Sequence, residues 1–199
     1  MVVVKKCGAK AIMWLLGWRV EGEAPSQRKF IVVGHPHTSN WDFPLFVFTL
    51  WIWNMPMKWM GKQSLFQGPF GWLFRSLGGL PVDRSGGKNT VQAVADLFAE
   101  HEELMLGIAP SGTRKGGAHW RSGFYHMAMQ ANVPLVLGSI DFKMRAGRII
   151  GTVHPSGNIE ADMEIIRNMY AGVEGRYPDR QMPIRLASEA GDDHSPQNK

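Results

Sequence analysis

The sequence contains a single cysteine, Cys7, among 199 residues. One thiol excludes a disulfide framework and any metal centre built from several cysteines. The sequence also lacks an apolar run long enough to span a bilayer, which takes about 20 residues. Its longest apolar runs, residues 11–18 and 43–53, are shorter. With no internal repeat and no long linker, we expect one domain of ordinary size.

Positive charge and tryptophan are both in excess. Lysine and arginine number 22 against 17 acidic residues, which gives a net charge of +5, and there are eight tryptophans. This balance suits an anionic partner such as a phosphorylated small molecule or an anionic membrane surface. The basic residues are scattered and no known nucleic-acid-binding module appears, so we expect no nucleic-acid partner. Tryptophan is enriched at membrane interfaces and binding surfaces.

Strand and helix patterns alternate along the chain. Apolar runs typical of buried strands lie at residues 30–34, 104–109, 133–140 and 148–153. Helical spacing of apolar residues marks residues 44–53, 89–103, 122–131 and 160–173. This alternation predicts an α/β fold with a mostly parallel central sheet flanked by helices.

The two ends of the chain differ from the middle. Residues 1–20 have a basic start and a short apolar run, which predicts an amphipathic helix; it either lies in a membrane interface or packs on the domain. Residues 21–185 form the predicted α/β domain. Residues 186–199 are rich in Gly, Asp, Ser, Pro and Asn, and we expect a disordered tail.

The segment between the first buried strand and the next helix contains His37 and Asp42. An α/β fold places its site outside the carboxyl end of a strand. Pro44 fits only the first turn of a helix, so Asp42 lies at the cap or in the first turn and His37 in the turn before it. There an ionised Asp42 can fix the tautomer of His37 and leave its other nitrogen free as a base. From the pair alone, the favoured interpretation is a helix-capping aspartate beside a loop histidine.

Four segments in order resemble the motifs of one family. They are His37 with Asp42, Gly79-Leu-Pro-Val-Asp-Arg84, Pro110-Ser-Gly-Thr-Arg114 and Val133-Pro-Leu-Val136. Together they resemble the glycerolipid acyltransferases, whose best-known members acylate lysophosphatidic acid (1-acylglycerol-3-phosphate O-acyltransferases). Ser111 stands where that family usually has glutamate. The substitution removes a charge beside the expected acceptor site.

The resemblance implies acyl transfer from a thioester donor, either acyl-CoA or acyl carrier protein, to a hydroxyl of a lysophospholipid or glycerol-phosphate-like acceptor. His37 would be the general base and Asp42 its orienting partner. Arg84, Gly112, Thr113 and Arg114 would bind substrate, with no metal and no cofactor besides the co-substrate. It also implies a role in phospholipid biosynthesis and a peripheral location on the cytoplasmic face of the membrane.

The chemistry of the remaining residues sharpens these expectations. No serine or cysteine has the setting of an activated nucleophile, since Ser39 is better explained as a turn or cap residue. We therefore expect direct transfer without an acyl-enzyme. Lys88, Lys115 and Arg121 are interpreted as solvated basic residues in glycine-rich turns. At least half of the aromatic side chains in two segments are expected to be core, and the others to face an acyl chain or lipid. These segments are residues 43–53 and the set Phe66, Phe70, Trp72 and Phe74.

Other classes of protein share parts of these patterns. His35 and His37 after a strand are also typical of a metal-dependent hydrolase, although Asn40 and Trp41 occupy positions where one such class has further ligands. Gly86-Gly-Lys88 resembles a P-loop, but Val82 and Asn89 depart from its pattern. A non-catalytic lipid-binding module is the remaining alternative.

Overall fold

A computed structural model describes residues 2–82 and 87–190, and it contains a seven-stranded sheet flanked by helices. The strands are β1 (Arg19–Glu21), β2 (Lys29–Gly34), β3 (Lys58–Lys62), β4 (Gly79–Val82), β5 (Leu104–Ile108), β6 (Leu135–Asp141) and β7 (Ala146–Val153). The helices are α1 (Val2–Leu15), α2 (Asp42–Trp53), α3 (Ser64–Gln67), α4 (Gly71–Ser76), α5 (Gly87–Glu100), α6 (Gly123–Ala131) and α7 (Ile159–Met169).

The sheet has the order β1-β7-β6-β2-β5-β3-β4. Every neighbouring pair is parallel except β6 and β7, which form an antiparallel hairpin. The predicted α/β fold with a mostly parallel sheet is therefore confirmed. β2 lies at the centre, between β5 and β6. The chain leaves β2 toward β3 on one side and later crosses to β6 on the other, so the turn after β2 lies at a switch point of the topology.

Both faces of the sheet are covered, as the continuous apolar strands require. On β2, Ile31 and Val33 belong to a buried cluster with side chains of α5, α6 and α7. Phe30 and Val32 point the other way, into a cluster with Leu50 of α2. This alternation follows from the two-residue period of a strand. It anchors β2 from both sides and so fixes the position of the turn that follows it.

Helix α1 packs on α2 and also carries exposed apolar side chains. Met13 is buried in a cluster with Leu45 of α2 and Ile140 of β6. Trp14 and Leu15 remain 77% and 74% exposed. The alternative in which the helix packs on the domain is therefore confirmed, and contact of its exposed face with a membrane stays a prediction. No described helix is long and apolar enough to cross a membrane.

The structure corrects the expected boundaries at both ends of the domain. β1 pairs with β7 and spans the predicted boundary at residue 20. β1 is too short to show a pattern in the sequence. The final helix ends at Met169, whereas the sequence predicted that it would extend to residue 173. The tail does not begin at Leu186, because this side chain is buried and pairs with Trp120 in a β-bridge. A 3₁₀ turn follows at Ser188–Ala190, and residues 191–199 lie outside the described residues.

Candidate active site

His37 and Asp42 meet in the turn between β2 and α2. His37 Nδ1 lies 3.1 Å from Asp42 Oδ2. The same carboxylate oxygen accepts hydrogen bonds from the backbone N–H groups of Thr38 at 2.8 Å and Ser39 at 2.9 Å. The contact expected from the position of Pro44 is therefore confirmed.

The start of α2 explains how the two side chains reach each other. Trp41 is the N-cap residue and Asp42 the first helical residue. Pro44 is then in the first turn, where its missing N–H breaks no intrahelical bond. The partial positive charge of the helix N-terminus stabilises the ionised carboxylate of Asp42.

The contacts of Asp42 decide which nitrogen of His37 carries the proton. Asp42 is 6% exposed, whereas the side chain of His37 is 28% exposed. An ionised carboxylate only accepts hydrogen bonds, so Nδ1 of the neutral imidazole donates and Nε2 keeps its lone pair. The arrangement makes His37 able to take a proton at Nε2 while Asp42 stabilises the resulting imidazolium.

A cavity of about 1170 Å³ adjoins this pair. His37 and Asp42 form part of its wall, together with the turns after β3 and β5. These turns are neighbours because parallel strands end at one edge of the sheet. Helix α2 supplies apolar wall residues, among them Phe46, Leu50 and Trp53. Ligand pockets are typically about 300–1,000 Å³, so this cavity is large enough for a substrate with a long apolar part.

The predicted substrate residues after β5 line the same cavity. They are Gly112, Thr113 and Arg114. Gly112 has a φ of 63°, a left-handed conformation that glycine adopts without strain. The Arg114 guanidinium is exposed and makes no ion pair or hydrogen bond with a residue that the structure describes. Arg84, the fourth predicted substrate residue, lies outside the described residues.

The position of the unusual serine is behind the cavity wall. Ser111 is buried and is not among the residues that line the cavity. Its hydroxyl has no partner among the described residues. The effect of this serine on the acceptor therefore stays a prediction.

Further basic side chains line the cavity beyond those that the sequence assigned to substrate. Lys115 and Arg121 are exposed, as expected for solvated turns, yet both are wall residues. His119 is a wall residue that the sequence analysis missed, and its Nδ1 is buried without a partner among the described residues. The sequence could have indicated His119 only by its position between the third motif and the next helix.

His35 lies in a different environment from His37. It is buried between the rings of Trp120 and Tyr170, at centroid distances of 5.1 and 5.2 Å. Its Nε2 is 3.4 Å from Gln181 Nε2. Burial lowers the pKa of His35 to about 4, so the imidazole is neutral at pH 7. The two histidines that the metal-hydrolase alternative requires therefore face separate partners, and no cluster of three potential metal-ligating side chains occurs within the described residues.

The aromatic side chains before the second motif divide between interior and surface. Phe66 is buried against Trp59 and Phe74, and Phe74 lines the cavity. Phe70 and Trp72 are 62% and 70% exposed. Only Phe66 of these four is a buried core residue, so the expectation that at least half are core is wrong for this set. Contact of the others with an acyl chain or lipid stays a prediction.

A segment after α7 holds the turn that carries His37. The backbone N–H of Tyr177 donates to Thr38 Oγ1 at 3.3 Å. Gly175 packs so closely that a Cβ there would lie 2.7 Å from the same oxygen. Gln181 closes the segment on itself, accepting from Gly175 N–H and donating to the carbonyl of Val173, both at 2.9 Å. Sequence analysis assigned this segment no role, since its contacts join residues about 140 positions apart.

Comparisons of sequence and of structure show which known proteins this chain is similar to. The family model described as Acyltransferase matches residues 18–140. A curated relative from Limnanthes alba, "1-acyl-sn-glycerol-3-phosphate acyltransferase", is 25% identical over 133 residues, which are 63% of this chain and 46% of the relative. The chain thus spans less than half the length of that relative. The crystal structure of the 1-acyl-sn-glycerophosphate (LPA) acyltransferase PlsC from Thermotoga maritima has a similar fold, with a TM-score of 0.58 and 20% identity; the match covers 84% of this chain and 77% of that one.

The family match covers more than half of the chain and is continuous across the structural core of the site. It includes the His37–Asp42 turn, the turn that carries Arg114 and nearly all of β6. The chain therefore belongs to the acyltransferase family.

Proposed function

We propose that this protein is an O-acyltransferase that moves a fatty acyl group from a thioester to a hydroxyl of a glycerol-phosphate-like lysolipid. The observation that carries the proposal is the His37–Asp42 pair in the wall of a large, partly apolar cavity that Arg114 also lines. The names of both relatives, which describe acyltransferases of acylglycerol phosphates, support the same substrate class.

The chemical step uses the free nitrogen of His37. As the acceptor oxygen attacks the thioester carbonyl carbon, Nε2 takes the hydroxyl proton, and Asp42 stabilises the imidazolium across the 3.1 Å contact. Collapse of the tetrahedral intermediate breaks the carbon–sulfur bond, and the proton on His37 passes to the leaving thiolate. The products are the acylated lipid and a free thiol, and His37 is neutral again.

Transfer is direct, without an acyl-enzyme. The serine nearest to His37 in the sequence is Ser39. It is buried, and its Oγ accepts a hydrogen bond from the N–H of Trp41 at 3.1 Å. Ser39 therefore organises the turn, and its oxygen is not placed as a nucleophile activated by His37. Cys7 lies on α1 and is exposed. Both substrates then occupy the cavity together.

Arg114 binds the phosphate of the acceptor, and Arg84 of the second motif is its proposed partner. A guanidinium grips phosphate through two parallel hydrogen bonds, and Arg114 has no competing partner among the described residues. The acyl chains occupy the apolar wall along α2, where Phe46, Leu50 and Trp53 line the cavity.

The protein binds the surface of an anionic membrane, peripherally and on its cytoplasmic side. Helix α1 offers Trp14 and Leu15 as exposed apolar anchors, and residues 1–20 contain basic but no acidic residues. A second exposed aromatic pair, Phe70 and Trp72, lies in a stretch without acidic residues, positions 43–82. Both surfaces combine apolar contact with attraction to anionic head groups.

The test is turnover of acyl-CoA with lysophosphatidic acid by the purified full chain. His37→Ala is expected to lower kcat by at least about 10²-fold, the usual contribution of a general base. His154→Ala is the matched control, because His154 is an exposed histidine outside the cavity wall. Normal turnover by His37→Ala would overturn the catalytic assignment. Binding of acyl-CoA and lysolipid without any turnover by the parent chain would make the protein a lipid-binding module.

A further inference from the structure

Two arginines with no assigned role lie against aromatic rings beside the turn that carries His37. The Arg176 guanidinium carbon is 5.6 Å from the centroid of the Trp41 ring and 5.7 Å from that of Tyr177. The Arg180 guanidinium carbon is 4.5 Å from the Tyr177 centroid. Trp41 is the N-cap residue of α2, one position before Asp42. Two positive charges therefore share one ring next to the catalytic pair.

Neither guanidinium is neutralised by the rest of the described structure. Arg176 and Arg180 are exposed, and neither side chain makes an ion pair or hydrogen bond within residues 2–82 and 87–190. A guanidinium that stacks on a ring keeps its N–H groups, which lie in the guanidinium plane, available to an anion. Two cations brought to one ring repel each other, and an anion bound between them removes this cost.

The position of these arginines is fixed relative to the site. Tyr177 is tied to the catalytic turn by its backbone hydrogen bond to Thr38 Oγ1 at 3.3 Å. On the other side, a Cβ on Gly116 would lie 3.4 Å from the carbonyl oxygen of Arg180. The turn that carries Arg114 therefore packs against the segment that carries Arg180. Arg176 and Arg180 are not cavity wall residues, so they lie on the surface just outside it.

We propose that Arg176 and Arg180, supported by the rings of Tyr177 and Trp41, form a second phosphate-binding site of the enzyme, outside the cavity and separate from Arg114. This inference rests on the proposed function. Two substrates present phosphate: the nucleotide part of an acyl-CoA donor and the head group of the acceptor. The Trp41 ring, which is 52% exposed and is contacted by one arginine, also offers a stacking surface for a base, which favours the donor's nucleotide.

The test measures binding, so its result does not depend on turnover. Coenzyme A and glycerol 3-phosphate are titrated separately into the full chain and into Arg176→Gln, Arg180→Gln and the double variant by calorimetry. Loss of one charge-assisted phosphate contact is expected to weaken binding by about tenfold or more. Arg28→Gln is the matched control, because Arg28 is an exposed arginine next to the amino end of β2, paired with Glu103. Tyr177→Phe keeps the ring and is expected to bind normally.

Each outcome decides the proposal. Weaker binding of coenzyme A alone assigns the site to the donor, and weaker binding of glycerol 3-phosphate alone assigns it to the acceptor. Unchanged binding of both ligands, no binding of either by the parent chain, or an equal loss in Arg28→Gln overturns the proposal. Loss of binding to anionic vesicles with normal binding of both soluble ligands also overturns it, by assigning the arginines to a membrane contact. Acyl transfer by the parent chain, measured alongside, tests the proposed function independently.

Discussion

The Tyr170 hydroxyl donates a hydrogen bond to the carbonyl oxygen of Val33 at 2.5 Å, and this oxygen belongs to the strand that leads into the turn that carries His37. The same hydroxyl lies 3.2 Å from the carbonyl oxygen of Gly138 on the neighbouring strand. Tyr170 is fully buried at the end of α7, and burial raises its pKa well above the ordinary value. It therefore remains a donor and joins β2 and β6 beneath the site.

The first prediction concerns this link. Tyr170→Phe removes this donor, while the Gly138 oxygen keeps its hydrogen bond from the His35 N–H. The free energy of unfolding is therefore expected to fall by about 0.5–1.5 kcal/mol. Urea unfolding followed by circular dichroism measures it. Tyr177→Phe is the control, because the Tyr177 hydroxyl has no partner among the described residues. Equal stability of Tyr170→Phe and the parent chain would contradict a structural role for the hydroxyl.

The second prediction asks whether Asp42 orients His37 or binds substrate. Asp42→Asn removes the charge that stabilises the His37 imidazolium, so kcat is expected to fall by about 10²-fold or more. KM is expected to change little, because the Asp42 carboxylate is held by His37 and by backbone N–H groups of its own turn. Steady-state kinetics with acyl-CoA and lysophosphatidic acid give both constants. A higher KM with an unchanged kcat would mean that Asp42 holds substrate and does not act through His37.

The third prediction concerns stability against pH. His35 has a pKa of about 4 when folded because it is buried, against about 6.5 when unfolded. Between these values the unfolded chain takes up a proton that the folded protein excludes. The free energy of unfolding therefore falls as the pH is lowered through this window, with a loss from this group of about 2 kcal/mol between pH 7 and 5.

Urea unfolding of the parent chain and His35→Gln at both pH values measures this contribution. The variant is expected to lose less stability on acidification, because it has no imidazole to protonate. His101→Gln is the control, since it makes the same substitution at an exposed histidine. The same loss in all three proteins would show that His35 titrates normally.

The fourth prediction tests the role of Arg114. Arg114→Ala is expected to weaken use of a phosphate-bearing acceptor by roughly ten- to a hundredfold, since a charge-assisted hydrogen bond contributes about 1.5–3 kcal/mol. Arg114→Lys is expected to restore only part of the lost acceptor use, because lysine cannot form the two parallel hydrogen bonds that a guanidinium makes to phosphate. The measurement is kcat/KM for acceptors with and without phosphate. An equal loss for both acceptor types would show that Arg114 does not recognise the acceptor phosphate.

The fifth prediction concerns the membrane. Deleting residues 1–20 would uncover Leu45 and Ile140, which Met13 covers, so point variants are the cleaner test. Trp14→Ser combined with Leu15→Ser is expected to reduce co-sedimentation with anionic vesicles severalfold, without loss of stability, because both side chains are exposed. Ile165→Ser on α7, at a residue 48% exposed, is the control. Unchanged co-sedimentation of the double variant would leave α1 as a structural helix.

Local chain chemistry was enough to predict the contact between His37 and Asp42, whereas their assignment as a catalytic pair came from the resemblance of four motifs to a family. The apolar run before Gly34 defined β2, and Pro44 placed the start of α2, so the contact between His37 and Asp42 followed from the steric limits of proline. The alternation of strands and helices likewise determined a mostly parallel sheet. The identity of each strand and helix, and the contact between His37 and Asp42, depend on residues within a few positions of one another.

Tertiary structure alone decided what surrounds that pair. The strand β1 is three residues long and exists because β7 pairs with it. His35, two positions from His37, became a neutral core residue because Trp120 and Tyr170 pack on it. Arg176 and Arg180 lie beside the turn that carries His37 because Tyr177 contacts Thr38, which is 139 positions away in the sequence. Contacts over such separations depend on how whole elements pack, because no local pattern of residues specifies which distant segment will cover a given turn.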